Sequence, residues 1–236
     1  MSNHRPVALI IGASRGLGWG LAREYLRRHW DVVATVRDVH QHTPLHDLCE
    51  SEGDAGGELH IEQIDITVPN QIDALHARLA DRTFDLLFVN AGVANDPTQP
   101  VGEVSTDEFV RVMVTNTLSP MRVVERLIDR VSPRGKVAVM SSELGSVTNN
   151  DAGGWEVYRG SKAALNTLMR SFVSRRADDQ RTFYTVAPGW VRTDLGSDSA
   201  PLDIDTSIPG VADALESRAG TRGVVFVNYR NEILSW

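Results

Sequence analysis

Cysteine is nearly absent from the 236 residues: Cys49 stands alone, which excludes a disulfide within the chain and agrees with a reducing compartment. It falls in a stretch of helical spacing, where it reads as a small apolar filler. Long apolar runs are missing too, and none approaches the roughly 20 residues that a membrane helix needs. The polar opening MSNHRP leads only into the short apolar run Val7–Ile11, so no signal peptide is expected and the expected location is the cytoplasm. Cations are outnumbered, 24 Lys and Arg against 31 Asp and Glu, for a formal charge of -7 and a pI near 5.5. That balance argues against a nucleic-acid partner, because a phosphate backbone is bound by clustered cations. There is no internal repeat and no linker, and the length suits one substantial core rather than two, so residues 1–236 are expected to form a single domain.

What is present alternates between strand and helix signals. Val7–Ile11 is a short continuous apolar run, as in a parallel strand buried on both faces. It is followed at once by Gly12-Ala13-Ser14-Arg15-Gly16-Leu17-Gly18, then by apolar residues at helical spacing (Leu17, Leu21, Ala22, Tyr25, Leu26) and a second strand, Asp31–Val36. Glycines at a strand-to-helix turn let the backbone approach a pyrophosphate at the positive end of a helix. The spacing Gly-x-x-x-Gly-x-Gly is a weak signal alone, and its flanking strand and helix strengthen it.

Two arginines bear on the nucleotide. Arg15 lies inside the turn and Arg37 follows the second strand, near where a ribose 2'-phosphate sits in this architecture, whereas a carboxylate there would address an unphosphorylated ribose. Asp38 competes with Arg37 for that role. Three histidines, His40, His42 and His46, have no Cys or carboxylate to complete a metal site and read as solvated, so no metal is expected.

Further on, a helix expected at 45–50 and a loose loop at 51–57 precede a third strand at 59–66. It carries Asp65 near its end, where the carboxylate either faces a ligand or caps a helix. A helix through Ile72, Leu75 and Leu79 leads to the strand Phe84–Val89 and the turn Asn90-Ala91-Gly92. A long helix at 106–129 contains Asn116 and then Pro120, whose missing N–H disturbs the backbone. A strand at 136–140 delivers Ser141 and Ser142, and a small polar loop follows to Gly154. Thr182–Ala187 ends at Pro188-Gly189. The polar segment 195–209 reads as a lid or binding loop, and a short helix at 211–217 and a strand at 224–229 close the chain. Seven strands alternating with helices indicate one doubly wound α/β domain with a parallel sheet.

Tyr158 and Lys162 stand four apart on an apolar-striped helix, so their side chains share a face one turn apart. An ammonium beside a phenol can lower the phenol's pKa by roughly 1 to 3 units and fit it for proton transfer. An ordinary exposed pair is the alternative.

Taken in order, the glycine turn, Asp65, Asn90-Ala91-Gly92, Asn116, Ser142, Tyr158-x-x-x-Lys162 and Pro188-Gly189-Trp190-Val191-Arg192-Thr193-Asp194 resemble the classical short-chain dehydrogenase/reductase family over essentially the whole chain. YRGSKAALN, DSAPLDIDTSIPG and VNYRNEILSW are similar to its C-factor and Sniffer-like branch, which includes carbonyl reductases and a developmental signalling protein. The resemblance implies a Rossmann fold and an NADP(H)-dependent oxidoreductase acting on a small carbonyl or alcohol, with NAD(H) as the other possible cofactor. It implies catalysis by Asn116, Ser142, Tyr158 and Lys162, with Ser141 as the competing serine.

By the same resemblance the glycine turn, Gly12, Ser14, Gly16, Leu17 and Gly18, binds the cofactor with its pyrophosphate over the helix that begins near Gly18. Arg15 and Arg37 would address the ribose phosphate, Asp65 would contact the adenine, and Ile66 is a further cofactor-binding residue. Asn90 and Gly92 would line the adenosine ribose, Val191 and Thr193 would support the carboxamide end, and Lys162 would hold the nicotinamide ribose. Asn116 would hold a water in a proton relay through Lys162, and Ala91, Tyr158, Pro188 and Gly189 complete the expected cofactor-binding set. A homodimer or homotetramer is implied as well. The branch also raises a second possibility, an NADP(H)-binding signalling or sensor protein with incidental catalysis. The chain departs from the family at Ile11 and Val89, where hydrogen-bonding side chains usually support the cofactor loop, and in a longer gap between Ser142 and Tyr158.

Overall fold

A computed structural model describes residues 5–51 and 56–236. Its centre is one seven-stranded, wholly parallel sheet: β1 (Val7–Ile11), β2 (Asp31–Val36), β3 (Leu59–Gln63), β4 (Phe84–Val89), β5 (Val131–Met140), β6 (Thr182–Ala187) and β7 (Val224–Asn228), in the order β3-β2-β1-β4-β5-β6-β7. Alternate residues of β1 feed opposite cores. Ala8 and Ile10 pack with Leu21, Tyr25, Ile208 and Val211 from α1 (Gly16–Arg27) and α7 (Ile204–Ser217). Leu9 and Ile11 pack with Ile72, Val124, Leu165 and Phe172 from α3 (Pro69–Arg78), α5 (Ser119–Leu127) and α6 (Glu156–Ser174). Burial on both faces is why these strands read as unbroken apolar runs. The strand order reverses between β1 and β4, which opens a crevice at the carboxyl ends of the strands.

Several elements differ from the sequence reading. β3 stops at Gln63, so Asp65 lies beyond it in a turn, its Oδ1 accepting from the Thr67 N–H (2.8 Å) and hydroxyl (2.7 Å). The long helix is three pieces: α4 (Thr106–Met113), a π turn at Val114–Leu118, and α5. The widened turn sits just before Pro120, where a missing N–H breaks the regular ladder. β5 starts earlier than expected, at Val131 rather than Lys136, with a register shift against β4.

The late helix begins at Ile204, inside the segment read as a loop, because Asp203 caps it by accepting from the Thr206 N–H at 2.8 Å. Pro209 is tolerated within it. Ile208, Val211 and Ala212 are buried in the core shared with α1, where Gly20 leaves the room a Cβ would take from Ile204, and this packing outweighs the lost hydrogen bond. The helix expected at 45–50 is α2 (Pro44–Ser51), on which Cys49 is exposed rather than a buried filler. Of the loop read at 51–57, residues 52–55 lie outside the described residues.

Candidate active site

Four strand ends converge on the crevice, and the glycine turn after β1 is its floor. Gly12 has φ +86°, and a Cβ there would stand 2.8 Å from the Cβ of Ala91, in the turn after β4. On Gly18 a Cβ would overlap the Gly12 carbonyl. Both contacts require glycine. The supports expected from the positions of Ile11 and Val89 come instead from neighbours. The Gly12 N–H donates to the Thr35 hydroxyl (2.9 Å), the Ala13 N–H to the Thr35 carbonyl (2.8 Å), and the Asn90 amide to the Gly12 carbonyl (2.8 Å). Thr35 carries no motif that marks it in the sequence, although a hydroxyl in the buried run DVVATV is the signal that could have found it.

The first turn of α1 holds no acidic residue, and Arg15 before it makes no side-chain cap, so the helix's leading N–H groups and dipole point to the crevice unopposed by a side chain. Gly16 has φ +58° and Thr193 as its nearest side chain, with Ser14 partly buried beside it and Leu17 packed on the core. Arg15 is exposed and pairs with Asp194 at 3.1 Å, linking the turn to the segment after β6. Arg37 is exposed at the end of β2, and among the described residues its guanidinium has no hydrogen bond or ion pair. Asp38 instead accepts from the His40 N–H at 2.9 Å. Ile66 is buried in the core. Gly92 is exposed, and a Cβ on it would lie 3.4 Å from the Lys162 ammonium.

The catalytic candidates meet on the first turns of α6. Tyr158 is 8% exposed and Lys162 3%, with the ammonium 5.6 Å from the phenol ring centroid. The Lys162 Nζ donates to the Met140 carbonyl at 2.9 Å, the last residue of β5. Ser142 follows two residues on, its hydroxyl near the Tyr158 phenol and accepting from the Leu144 N–H at 3.1 Å. Ser141 points away, donating to Asn166 Oδ1 at 2.7 Å.

The electrostatics correct the expectation from spacing. Burial pushes the Tyr158 phenol up to about 12, and the nearby Ser142 hydroxyl pulls it back only in part. Burial also lowers Lys162 to about 8. Desolvation penalises both charged forms, and with the ammonium turned to Met140 it outweighs the attraction that would have lowered the phenol.

Asn116, in the π turn, is fully buried and fully used. Its Oδ1 accepts from the Val93 N–H (2.8 Å), and its Nδ2 donates to the Val93 carbonyl (2.8 Å) and the Ser161 hydroxyl (3.0 Å). Ser161 donates in turn to the Tyr158 carbonyl at 2.7 Å.

Trp155 opens the helix. Gly153, Gly154 and Trp155 have φ of 62°, 66° and 53°, a left-handed run that costs a tryptophan backbone strain. It sets the indole edge-on to Tyr158, with ring centroids 5.7 Å apart. Across the crevice, Trp190 is exposed and donates to the Gly196 carbonyl. The main chain of Trp190 and Arg192 is stapled to Leu202, so the part of the expected lid that precedes α7, 195–203, is tied back to the segment after β6. Pro188 accepts from the buried Ser207 hydroxyl at 2.7 Å, Gly189 has φ +80°, and Val191 is buried.

Comparisons agree with this arrangement. The short chain dehydrogenase family model matches residues 6–201. A short-chain dehydrogenase/reductase structure from Burkholderia multivorans, solved with bound NADP, is 53% identical with a TM-score of 0.95, covering 99% of this chain and 100% of that one. The carbonyl reductase Sniffer of D. melanogaster is 30% identical with a TM-score of 0.85, covering 99% of this chain and all of that one. C-signal of Myxococcus xanthus is 30% identical over 154 residues, 64% of this chain and 92% of that protein. Sheet order, motif order and these likenesses together make the chain a member of the short-chain dehydrogenase/reductase family of oxidoreductases.

Proposed function

We propose that the protein is an NADP(H)-dependent carbonyl reductase, or alcohol dehydrogenase in reverse, working as one domain over 1–236. The observation that carries this reading is the convergence of the Ser142 hydroxyl, at the end of β5, with the Tyr158 phenol and the Lys162 ammonium, on the same edge as the glycine floor. NADPH fits the groups present: a cradle that a Cβ would fill, an uncapped helix start for the pyrophosphate, and at the end of β2 the exposed Arg37 guanidinium, which has no ion pair among the described residues. The Burkholderia relative was solved with NADP and Sniffer is a carbonyl reductase, which supports the same reading.

When bound, NADPH supplies hydride to the substrate carbonyl carbon. Ser142 donates to the carbonyl oxygen and orients it, Tyr158 gives its proton to that oxygen as it becomes an alcohol, and Lys162 stabilises the phenolate left behind. A phenol kept protonated by burial is suited to the acid role. The Asn116 side chain, expected to hold a relay water, is committed to Val93 and Ser161, so it anchors the π turn and the return of the proton falls to Lys162. Trp155, Trp190 and the 195–203 segment wall the substrate side, which favours apolar or aromatic carbonyl compounds.

Arg37→Ala is expected to weaken NADPH binding by roughly tenfold to a hundredfold, the worth of a charge-assisted phosphate contact, and to leave NADH binding unchanged. Fluorescence titration with each nucleotide checks this, and equal weakening of both would assign the ribose end elsewhere. Ser142→Ala is expected to lose reduction while Ser141→Ala keeps most of it; the reverse order in steady-state rates would transfer the role to Ser141.

A homodimer or homotetramer is part of the proposal. Phe109 and Val110 on α4, Leu118 in the π turn and Leu168 on α6 are exposed apolar residues that a partner copy would cover. Sedimentation velocity showing only monomer at micromolar concentration would remove it. The exposed thiol of Cys49 suits the cytoplasm, which cell fractionation checks. The likeness to C-signal keeps one second reading, an NADP(H)-binding signalling protein, whose mark would be tight binding of NADPH without turnover of activated ketones and aldehydes.

A further inference from the structure

We propose that Asn166 is a positioning residue for Ser142, holding the serine's loop to α6 from both sides of the catalytic hydroxyl. The proposal rests on the reading of Ser142 as the group that orients the substrate oxygen. Asn166 is 3% exposed and touches neither reacting group, yet both ends of its amide are spent on this loop. Its Oδ1 accepts from the Ser141 hydroxyl at 2.7 Å, immediately before Ser142. Its Nδ2 donates to the Gly145 carbonyl at 3.2 Å, three residues after. Between these anchors the loop closes on itself, with the Gly145 N–H donating to the Ser142 carbonyl at 2.9 Å and the Leu144 N–H to the Ser142 hydroxyl at 3.1 Å.

Gly145 lies directly on the helix, where a Cβ would meet the Lys162 Cβ at 2.9 Å and the Asn166 Nδ2 at 3.1 Å. Tyr158, Lys162 and Asn166 recur every four residues, so one helix face carries the phenol, the ammonium and the clamp. The separation of the serine hydroxyl from the phenol is therefore fixed by a single rigid element. An amide side chain suits this position because it accepts from a hydroxyl and donates to a carbonyl at once, whereas a buried aspartate or leucine loses one bond or both.

The test compares wild type, Asn166→Ala, Ser142→Ala and the double variant, saturated with NADPH and an activated aryl ketone. Asn166→Ala is expected to lower kcat roughly tenfold or more, the cost of two buried hydrogen bonds, with the NADPH Kd within about twofold of wild type. Because Asn166 acts through Ser142, the double variant is expected to be no slower than Ser142→Ala alone. A kcat within about twofold of wild type overturns the proposal, and so does a double variant whose loss is the product of the two single losses; either result leaves the reductase reading standing.

Hydrogen exchange reads the same clamp without turnover. Amides 143–146 are expected to exchange about tenfold faster in Asn166→Ala while those of β5 are unchanged, and unchanged exchange in 143–146 overturns the proposal even if the wild type reduces nothing. Should Asn166→Ala fail to fold, Ser141→Ala, which removes one anchor, is expected to show a smaller loss that again vanishes in the Ser142→Ala background. Persistence of that loss counts against the clamp.

Discussion

Tyr158→Phe is expected to lose at least about a hundredfold in the rate of carbonyl reduction, the low end for a positioned general acid, while binding NADPH as the wild type does. The substitution removes one oxygen and leaves the ring that packs edge-on to Trp155 at 5.7 Å. The Ser142 hydroxyl beside the phenol remains and can still donate to a substrate oxygen, so substrate binding should change little. What is lost is the proton, at a depth where Tyr158 is 8% exposed and bulk water does not replace it. Single-turnover loss of NADPH absorbance after mixing with an activated ketone measures the step, and a rate within about tenfold of wild type would mean another group is the acid.

Lys162→Met is expected to cost at least about a hundredfold in turnover and, unlike an ordinary core disruption, to alter how stability depends on pH. Burial holds Lys162 at about 8, against 10.5 for a free lysine. Between those values the unfolded chain binds a proton that the folded chain has released, so the wild type gains stability as pH rises through that window. The cost of keeping the buried ammonium at neutral pH is roughly 3 kcal/mol.

Above pH 10 the sign reverses. Burial raises Tyr158 to about 12 and raises Tyr25 and Tyr184 as well, so their unfolded phenols ionise first and stability falls. Lys162→Met is expected to lose the rise between about pH 8 and 10 and keep the fall above it. At neutral pH its net stability should change little, because the relief of a buried charge is offset by about 1 to 3 kcal/mol for the Met140 carbonyl left without its donor.

Reduction by the wild type should decline above pH about 8 as Lys162 loses its proton. The sequence contains two lysines, Lys136 and Lys162, and Lys136 is paired to Glu216 at 2.6 Å. A protein carrying 13C-labelled lysine therefore gives two signals; one should titrate near pH 8, and a Lys162 midpoint near the free-lysine value would contradict the account.

Much of this was legible in the sequence because the signals were local. β1, β2, β4 and β6 have the bounds that their apolar-rich runs led one to expect, since strands buried on both faces carry few polar residues. Tyr158 and Lys162 were visible as a helical pair, and Ser142 as the residue a strand delivers. Features set by depth or by distant partners were hidden. Pro120 marked a disturbance in the long helix but not that it takes the form of a π turn around Asn116, and Pro209 looked like the end of a loop because the packing of α7 on Gly20 is invisible locally. The direction of the Tyr158 shift depends on how far the helix sinks into the domain, which spacing does not report. Asn166 stands in the sequence only as a letter in YRGSKAALN, since its partners, Ser141 and Gly145, lie some twenty residues earlier in the chain.

The most direct test of hydride transfer assisted by Tyr158 follows the isotope. Wild type and Tyr158→Phe would be incubated with NADPH deuterated at the transferred position and an activated aryl ketone, and the product examined by mass spectrometry. The account predicts one deuterium on the carbinol carbon for each NADPH consumed by the wild type, and almost none formed by the variant in the same time. NADPH bound by the wild type with no deuterated alcohol from any ketone or aldehyde tried would contradict it.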